Sequence, residues 1–355
     1  MRYRSDVTKT DRRIPVISDP GELNIPWRTL QTIIAGRSLI DTFELNIDNL
    51  DEAYKFLDSY GVQNSEDGEK LLNTALEYVE NVLLKDTRLG LPEKTIGLTL
   101  PELMLEASAG SKSAISEWSC VLLKVCHAVA HAQWTRDEDA QNAALIKIKA
   151  RLKPFIIESQ EGIWIGDDGC RIPIVEYNVK ARKKFFRVVT KLLLKEGNLS
   201  ARIYDHIGVR FVTNDIFSAI LLIKFLRSRH IFMYANVLPQ KSKNSMAEFH
   251  QIEELFAEFS TPIQHTVMGE SKGIRSGNKN PYSSKEYKMI KIIERILVTT
   301  SSGRKVFSPC EFQILTQQTH ESLSKKQADH AAYEKRQIRG VKNRLFNETS
   351  LLGGP

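Results

Sequence analysis

The sequence predicts an α+β chain, with an all-α N-terminal domain followed by a mixed or antiparallel sheet flanked by helices. Three observations carry this. From Trp27 to about Leu152, apolar residues recur at three- and four-residue spacing, as in EKLLNTALEYVENVLL and SEWSCVLLKVCHAVAHAQW, which is the period of amphipathic helices. Beyond Pro154 the texture changes to short β-branched and aromatic runs around turn formers, as in FIIESQEGIWIGDDGCRIPIVEYNVK. Strands and helices then mix without strict βαβ alternation, the pattern of an α+β sheet.

Taken in order, residues 1–26 are polar, charged and Pro-containing and read as an arm. Residues 27–153 form the helical domain, with the boundary at about 150–156. A hairpin follows with its turn at 166–169, where Gly-Asp-Asp-Gly supplies turn chemistry. A basic helix is expected at 181–196, a strand at 207–213, a helix at 215–229 and a strand near 232–238. An irregular segment with a helix around 246–258 leads to long strands at 286–299 and 305–316. A charged helix over about 318–346 closes the second domain, 154–346, and 347–355 is a tail. There is no internal repeat.

Composition narrows the function classes. The 355 residues, 42% hydrophobic and 26% charged, suffice for two ordinary domains. No run of about 18 apolar residues appears, and MRYRSDVTKTDRRIP lacks the apolar core of a secretory signal, so a cytoplasmic protein without a membrane partner is expected. Cys120, Cys126, Cys170 and Cys310 are scattered without a CxxC pair, which argues against a disulfide framework or a zinc ribbon. The net charge of +7 biases the chain towards polyanions such as nucleotides or RNA.

Five stretches carry candidate chemistry. In IYDHIGVRFVT, alternation puts Gly208, Arg210 and Val212 on one face of a strand, with Asp205 just before it. In CEFQILT, Glu311, Gln313 and Leu315 share a face. If these strands are neighbours, Asp205 and Glu311 converge, and two hard carboxylates on a rigid sheet suit a Mg²⁺ ion carrying a triphosphate. The run VKARKKFFRVVTKLLLK has seven cations and no acid; helical spacing stacks Lys183, Arg187 and Lys191 on one face and an apolar side opposite. GNKNPYSS delivers Tyr282 beside Asn280, a stacking ring next to an amide that can read a base edge. In the final helix, His330, Tyr333 and Lys335 fall close together.

In this order and spacing, residues 175–340 resemble the synthetase domain of the RelA/SpoT alarmone synthetases, whose fold is nucleotidyltransferase-like. YDHIGVRFV is similar to the family's D-x-x-G-x-R strand through Asp205, Gly208 and Arg210. EFQILT is similar to its E-x-Q-[IL]-x-T strand through Glu311, Gln313 and Thr316, and ADHAAYEK to the helix that follows, through Asp329, His330 and Tyr333. Lys183 and Lys191 match the K-x₇-K spacing of the ATP-side helix, with Arg187 where the family usually has serine. The R-x-K-D-Y segment falls on KSKNS, giving Lys241 and Lys243. The guanine-binding loop falls on NPYSSKE, keeping Asn280, Tyr282 and Ser284 but with Pro281 for glycine and Glu286 for histidine. An insertion over about 246–276 separates these two segments.

The resemblance implies a Mg²⁺-dependent transfer of the β,γ-pyrophosphate of ATP to the 3′-hydroxyl of a GDP- or GTP-like acceptor. Asp205 and Glu311 would hold the metal and serve catalysis; Lys183, Arg187, Lys191, Arg210, Lys241 and Lys243 would bind phosphates; Asn280, Tyr282, Gln313 and His330 would bind the acceptor. Pyrophosphate transfer to a tRNA 3′-end and a catalytically silent nucleotide- or RNA-binding module are the alternatives. His127 and His131 lie one helical turn apart, but residues 1–150 contain no His-Asp dipeptide, so they read as packed histidines and no hydrolase activity is expected.

Overall fold

The computed structural model describes residue 34 and residues 45–85, 87, 89–109, 113–134, 137–180, 184–194, 207–256, 288–324, 327–346, 349 and 351, with the backbone alone at 249, 253, 323, 324 and 327–331. Several of the described helices begin in one way: a side-chain oxygen accepts the backbone N–H three residues on. Asn49 does so to Glu52, Asn64 to Asp67, Asp137 to Ala140 and Asp215 to Ser218, at 2.7–3.0 Å. Each satisfies an amide that the helix itself leaves unpaired.

The helical half comprises α1 (Leu50–Tyr60), α2 (Ser65–Tyr78), which continues into a π-turn at Val79–Leu83, the short α3 (Glu93–Ile96), α4 (Leu100–Ser108), α5 (Ala114–Trp134) and α6 (Glu138–Leu152). The sheet half has β1 (Ile156–Ser159), β2 (Gly162–Asp167), β3 (Cys170–Lys180), α7 (Phe185–Leu194), β4 (Ile207–Thr213), α8 (Ile216–Ser228) and β5 (Lys243–Asn244). Then follow α9 (Phe249–Phe256), β6 (Ile290–Thr299), β7 (Lys305–Thr316), α10 (Gln317–Ser324) and α11 (Gln327–Phe346). The fold is therefore α+β, as the sequence predicts. No described helix is long and apolar enough to cross a membrane.

One expected strand is absent. Residues 232–238 form a 3₁₀ turn at Tyr234–Asn236 and a single bridge from Val237 to Glu294. Ile231 and Phe232, just before this turn, are buried in the sheet core. The closing helix is described as two, α10 and α11, and the basic helix as Phe185–Leu194.

The seven strands run in the order β1-β2-β3-β4-β7-β6-β5, all neighbours antiparallel except the parallel pair β4 and β7. The β2–β3 hairpin turns where expected. Gly166 is required there, because an added Cβ would collide with the Cys170 carbonyl and lie 2.8 Å from Arg171 Cα.

A β-bulge between Ile174 and Glu176 matters for the site. Before it, Ile172 and Ile174 face the core; after it, Tyr177 and Val179 do. The single-residue slip turns Glu176, Asn178 and Lys180 to the opposite face.

Two apolar cores form. One joins α1, α2, α4 and α5 to α7 and the end of α11 through Val188, Val189, Leu192, Val341, Leu345 and Phe346. Within it the Tyr78 hydroxyl meets Thr190 Oγ1 at 2.9 Å, tying α2 to α7. The other packs α6 and α8 on one face of the sheet, through Ala144, Ile148 and Leu152 of α6 and Ala219, Leu222 and Leu226 of α8. The opposite face carries the polar side chains Arg210, Glu311 and Gln313 together with the buried Val212, Ile293 and Leu315.

Candidate active site

Register across five strands builds one polar row. Asn178 on β3 stands beside Arg210 on β4, Arg210 beside Gln313 on β7, Gln313 beside Lys291 on β6, and Lys291 beside Lys243 on β5. The next row holds Lys180, Gly208, Glu311 and Ile293. Partners opposite each other in a sheet share a face, so the parallel pairing of β4 with β7 puts Arg210, Gln313 and Glu311 on one face. Gly208 carries no side chain beside Glu311, and an added Cβ would meet only the Glu311 carbonyl, at 3.9 Å.

A hydrogen-bond chain joins these groups. Arg210 donates to Gln313 Oε1 from Nε at 3.1 Å and from Nη2 at 2.8 Å. Gln313 Nε2 donates to Glu311 Oε1, and Lys291 Nζ approaches Glu311 Oε2 to 4.0 Å. A guanidinium only donates and a carboxylate only accepts, so the amide between them can point only one way. Glu311 is buried, with 7% of its surface exposed. Its two oxygens are thus engaged on different sides, by an amide and by an ammonium.

The surroundings are cationic. Lys180, met in the basic run, ends β3 rather than lying on the helix. Burial, then the nearby Arg210, push its ammonium below the usual lysine range; Glu176 pulls the other way, and Arg187 adds a smaller downward push. Carboxylates at the margin are paired: Arg187 with Glu334 of α11 at 2.6 Å, and Glu176 with His320 of α10 at 3.3 Å. The apolar side of α7 packs into the helical core, as its sequence pattern requires. Lys191 lies half-buried on α7, Lys241 is exposed and Lys243 is half-buried.

Asp205, Lys183, Asn280 and Tyr282 lie outside the described residues, and of His330 only its place in α11 is described. Three residues on the polar face escaped the sequence reading: Asn178, Lys291 and, as a strand residue, Lys180. The bulge disguises the alternation around Asn178 and Lys180. Lys291, in KMIKIIERI, looks like an ordinary lysine on an exposed strand face; its neighbours in space are Gln313 and Glu311.

Among the described residues no group of three or more His, Cys, Asp or Glu side chains converges to hold a metal ion. Among the described residues, Glu311 at the centre of this face and Glu176 at its margin, beside His320, offer carboxylate oxygens. The Glu311 carboxylate has about four lone-pair positions, and the contacts with Gln313 and Lys291 leave room for a cation that takes its remaining ligands from phosphate.

No protein-family model and no curated protein matches the chain. Among solved structures it is similar to the small alarmone synthetase 1 from Bacillus subtilis, at 13% identity over 60% of this chain and 90% of that one, with a TM-score of 0.36. The same enzyme bound to its product pppGpp matches at 14% identity over 60% and 91%, with a TM-score of 0.35. The small alarmone synthetase 2 from Bacillus subtilis matches at 17% identity over 58% and 86%, with a TM-score of 0.33.

Proposed function

We propose that this chain is a cytoplasmic, Mg²⁺-dependent pyrophosphotransferase that moves the β,γ-pyrophosphate of ATP to the 3′-hydroxyl of a GDP- or GTP-like nucleotide, with residues 154–346 as the synthetase domain. The observation that carries the reading is the buried Glu311 carboxylate, held by Gln313 and faced by Lys291 on a sheet face that also carries Lys180 and Arg210. A fixed carboxylate can take the proton of an attacking hydroxyl. The cations around it favour phosphate oxygens and the charge that develops on them.

In the reaction, the acceptor oxygen forms a bond to the β-phosphorus, the bond from that phosphorus to the α,β-bridging oxygen breaks, and AMP leaves. Glu311 receives the hydroxyl proton. Lys180, Arg187, Lys191, Lys241 and Lys243 neutralise the triphosphate, with Lys183 as a further cation of the same helix run. Asp205 and Glu311 would hold Mg²⁺, which supplies charge neutralisation on the triphosphate. Arg210 and Gln313 keep Glu311 oriented, while Asn280, Tyr282 and His330 would address the acceptor.

The test is thin-layer chromatography of the chain incubated with γ-labelled ATP, Mg²⁺ and, separately, GDP, GTP, ADP and bulk tRNA, beside Glu311→Gln. Label appearing in a guanine nucleotide, and missing with Glu311→Gln, is the expected result. Label in tRNA instead would make RNA the acceptor. Nucleotide binding with no transfer to any acceptor would reduce the chain to a binding module.

A further inference from the structure

One buried pair of hydroxyls joins the helical half to the helix that carries Arg187 and Lys191. Tyr78 on α2 is fully buried, and its hydroxyl lies 2.9 Å from Thr190 Oγ1 on α7. Thr190 gives its own proton to the Phe186 carbonyl, one turn back, at 2.8 Å. A hydroxyl has a single proton to donate, so between the two Tyr78 donates and Thr190 accepts. The Tyr78 ring also stands edge-on to Phe186, with centroids 5.6 Å apart. Burial raises the Tyr78 phenol above its ordinary pKa of 10.0, which keeps the donor protonated.

Packing alone does not call for these hydroxyls. Val188, Val189 and Leu192 of α7 belong to the same apolar core as Leu71 and Ala75 of α2 and Val125 of α5. A valine would fill the place of Thr190 with no polar group to satisfy, and a threonine that bonds back to the fourth carbonyl before it slightly weakens its helix. Apolar contact is non-directional, so it holds a helix down but leaves it room to turn. A hydrogen bond has direction. Two further holds on α7 come from α11 and act near its ends: Glu334 pairs with Arg187 at 2.6 Å, and Arg344 Nη1 donates to the Leu193 carbonyl at 2.7 Å. The hold on the middle of the helix comes from Tyr78.

The rotation of α7 matters because of its one polar line. From Val188 to Leu194 every residue is buried except Lys191, which is half-buried, and Arg187 sits one turn before it. Arg187 is close enough to Lys180 on β3 to act on its ammonium. Side chains reach roughly 5–6 Å from a helix axis, so a turn of about 10° moves their tips by about 1 Å. Misplacement on that scale is costly at a site that works by position.

We infer that Tyr78 is a positioning residue of the triphosphate site: through Thr190 it sets the rotation of α7, and with it the place where Arg187 and Lys191 meet the phosphates. The helical half is then a working part of the site. The inference deepens the proposed transferase and rests on its reading of α7 as a phosphate-binding helix.

The experiment is calorimetric titration of the whole chain with α,β-methylene-ATP, whose α,β bridge the proposed transfer cannot cleave. Wild type is compared with Tyr78→Phe, Thr190→Val, the double variant and Lys191→Met, and each is also melted without ligand. Affinity is expected to fall roughly fivefold in Tyr78→Phe and in Thr190→Val, the worth of one hydrogen bond, and no further in the double variant, since both changes remove the same bond. The double variant should nonetheless melt near wild type, because it leaves no buried hydroxyl without its partner. A purely structural pair would regain affinity along with stability. Wild-type affinity in the double variant, or affinity that only follows the melting temperature across the variants, overturns the positioning role. Lys191→Met separates this from the parent reading. Affinity kept there, or no uptake by wild type, overturns the reading of α7 and the inference with it; affinity lost there but kept in the double variant overturns the positioning role alone.

Discussion

Arg210 grips Gln313 with two donors, at 2.8 Å and 3.1 Å from the amide oxygen, across the parallel strands β4 and β7. The grip fixes the amide polarity and so aims Nε2 at Glu311. Gln313→Leu removes both contacts at once and leaves a half-buried guanidinium and a buried carboxylate without their partner. We expect a transfer rate lower by roughly 100-fold, as for a catalytic group misplaced by about an ångström, with a smaller change in the Michaelis constant for ATP. Single-turnover transfer assays measure both.

Lys180 gives the site an alkaline limit. Burial and the neighbouring Arg210 and Arg187 lower its ammonium pKa from the ordinary 10.5. A bound phosphate favours the charged form, so nucleotide affinity is full at neutral pH and falls as pH rises through the lowered value, before an ordinary lysine would titrate. Binding of a fluorescent nucleotide followed from neutral to alkaline pH is the measurement. Lys180→Arg should move the fall to higher pH, since a guanidinium stays charged.

Acid destabilises the helical half through His127. Its ring lies against His131, with centroids 4.3 Å apart, and its Nδ1 meets the Tyr60 hydroxyl at 2.8 Å. Burial, then His131, lowers its pKa from 6.5 to about 4. Between these values the unfolded chain holds more protons than the folded one. Stability is therefore full above 6.5, is lost as pH falls towards 4, and levels off below; the loss is about 3 kcal/mol. Urea midpoints across this range, flattened by His127→Gln, check it.

Behind the sheet, Glu294 is fully buried and pairs with Arg151 of α6 at 3.3 Å, while Arg151 also donates to the Ile231 carbonyl at 3.2 Å. Burial raises the Glu294 carboxyl above its usual range. Removing the cation by Arg151→Met leaves a buried charge uncompensated and should cost about 3–5 kcal/mol. Adding Glu294→Gln to that variant should restore much of the loss, which a double-mutant cycle by chemical denaturation reads directly.

Much of this chain follows from its sequence alone. Period and turn chemistry determined the helical half, the β2–β3 hairpin, β4 and β7, because these are local properties of short segments. Alternation within a strand likewise determined that Gly208 and Arg210 share one face, and that Glu311 and Gln313 share another. Only the tertiary structure decided that the two faces are the same one: β4 and β7 lie about a hundred residues apart in the chain, and no local pattern encodes their pairing. It also decided the partners. Arg210 meets an amide rather than a carboxylate, Arg187 is held by Glu334, and Lys291 gains its place from register with residues on two other strands. The bulge at Ile174–Glu176 shows the physical reason most plainly. A slip of one residue exchanges the faces of everything beyond it, and that slip is fixed by β3 pairing with β4, so Asn178 and Lys180 reach the site only once the sheet has formed.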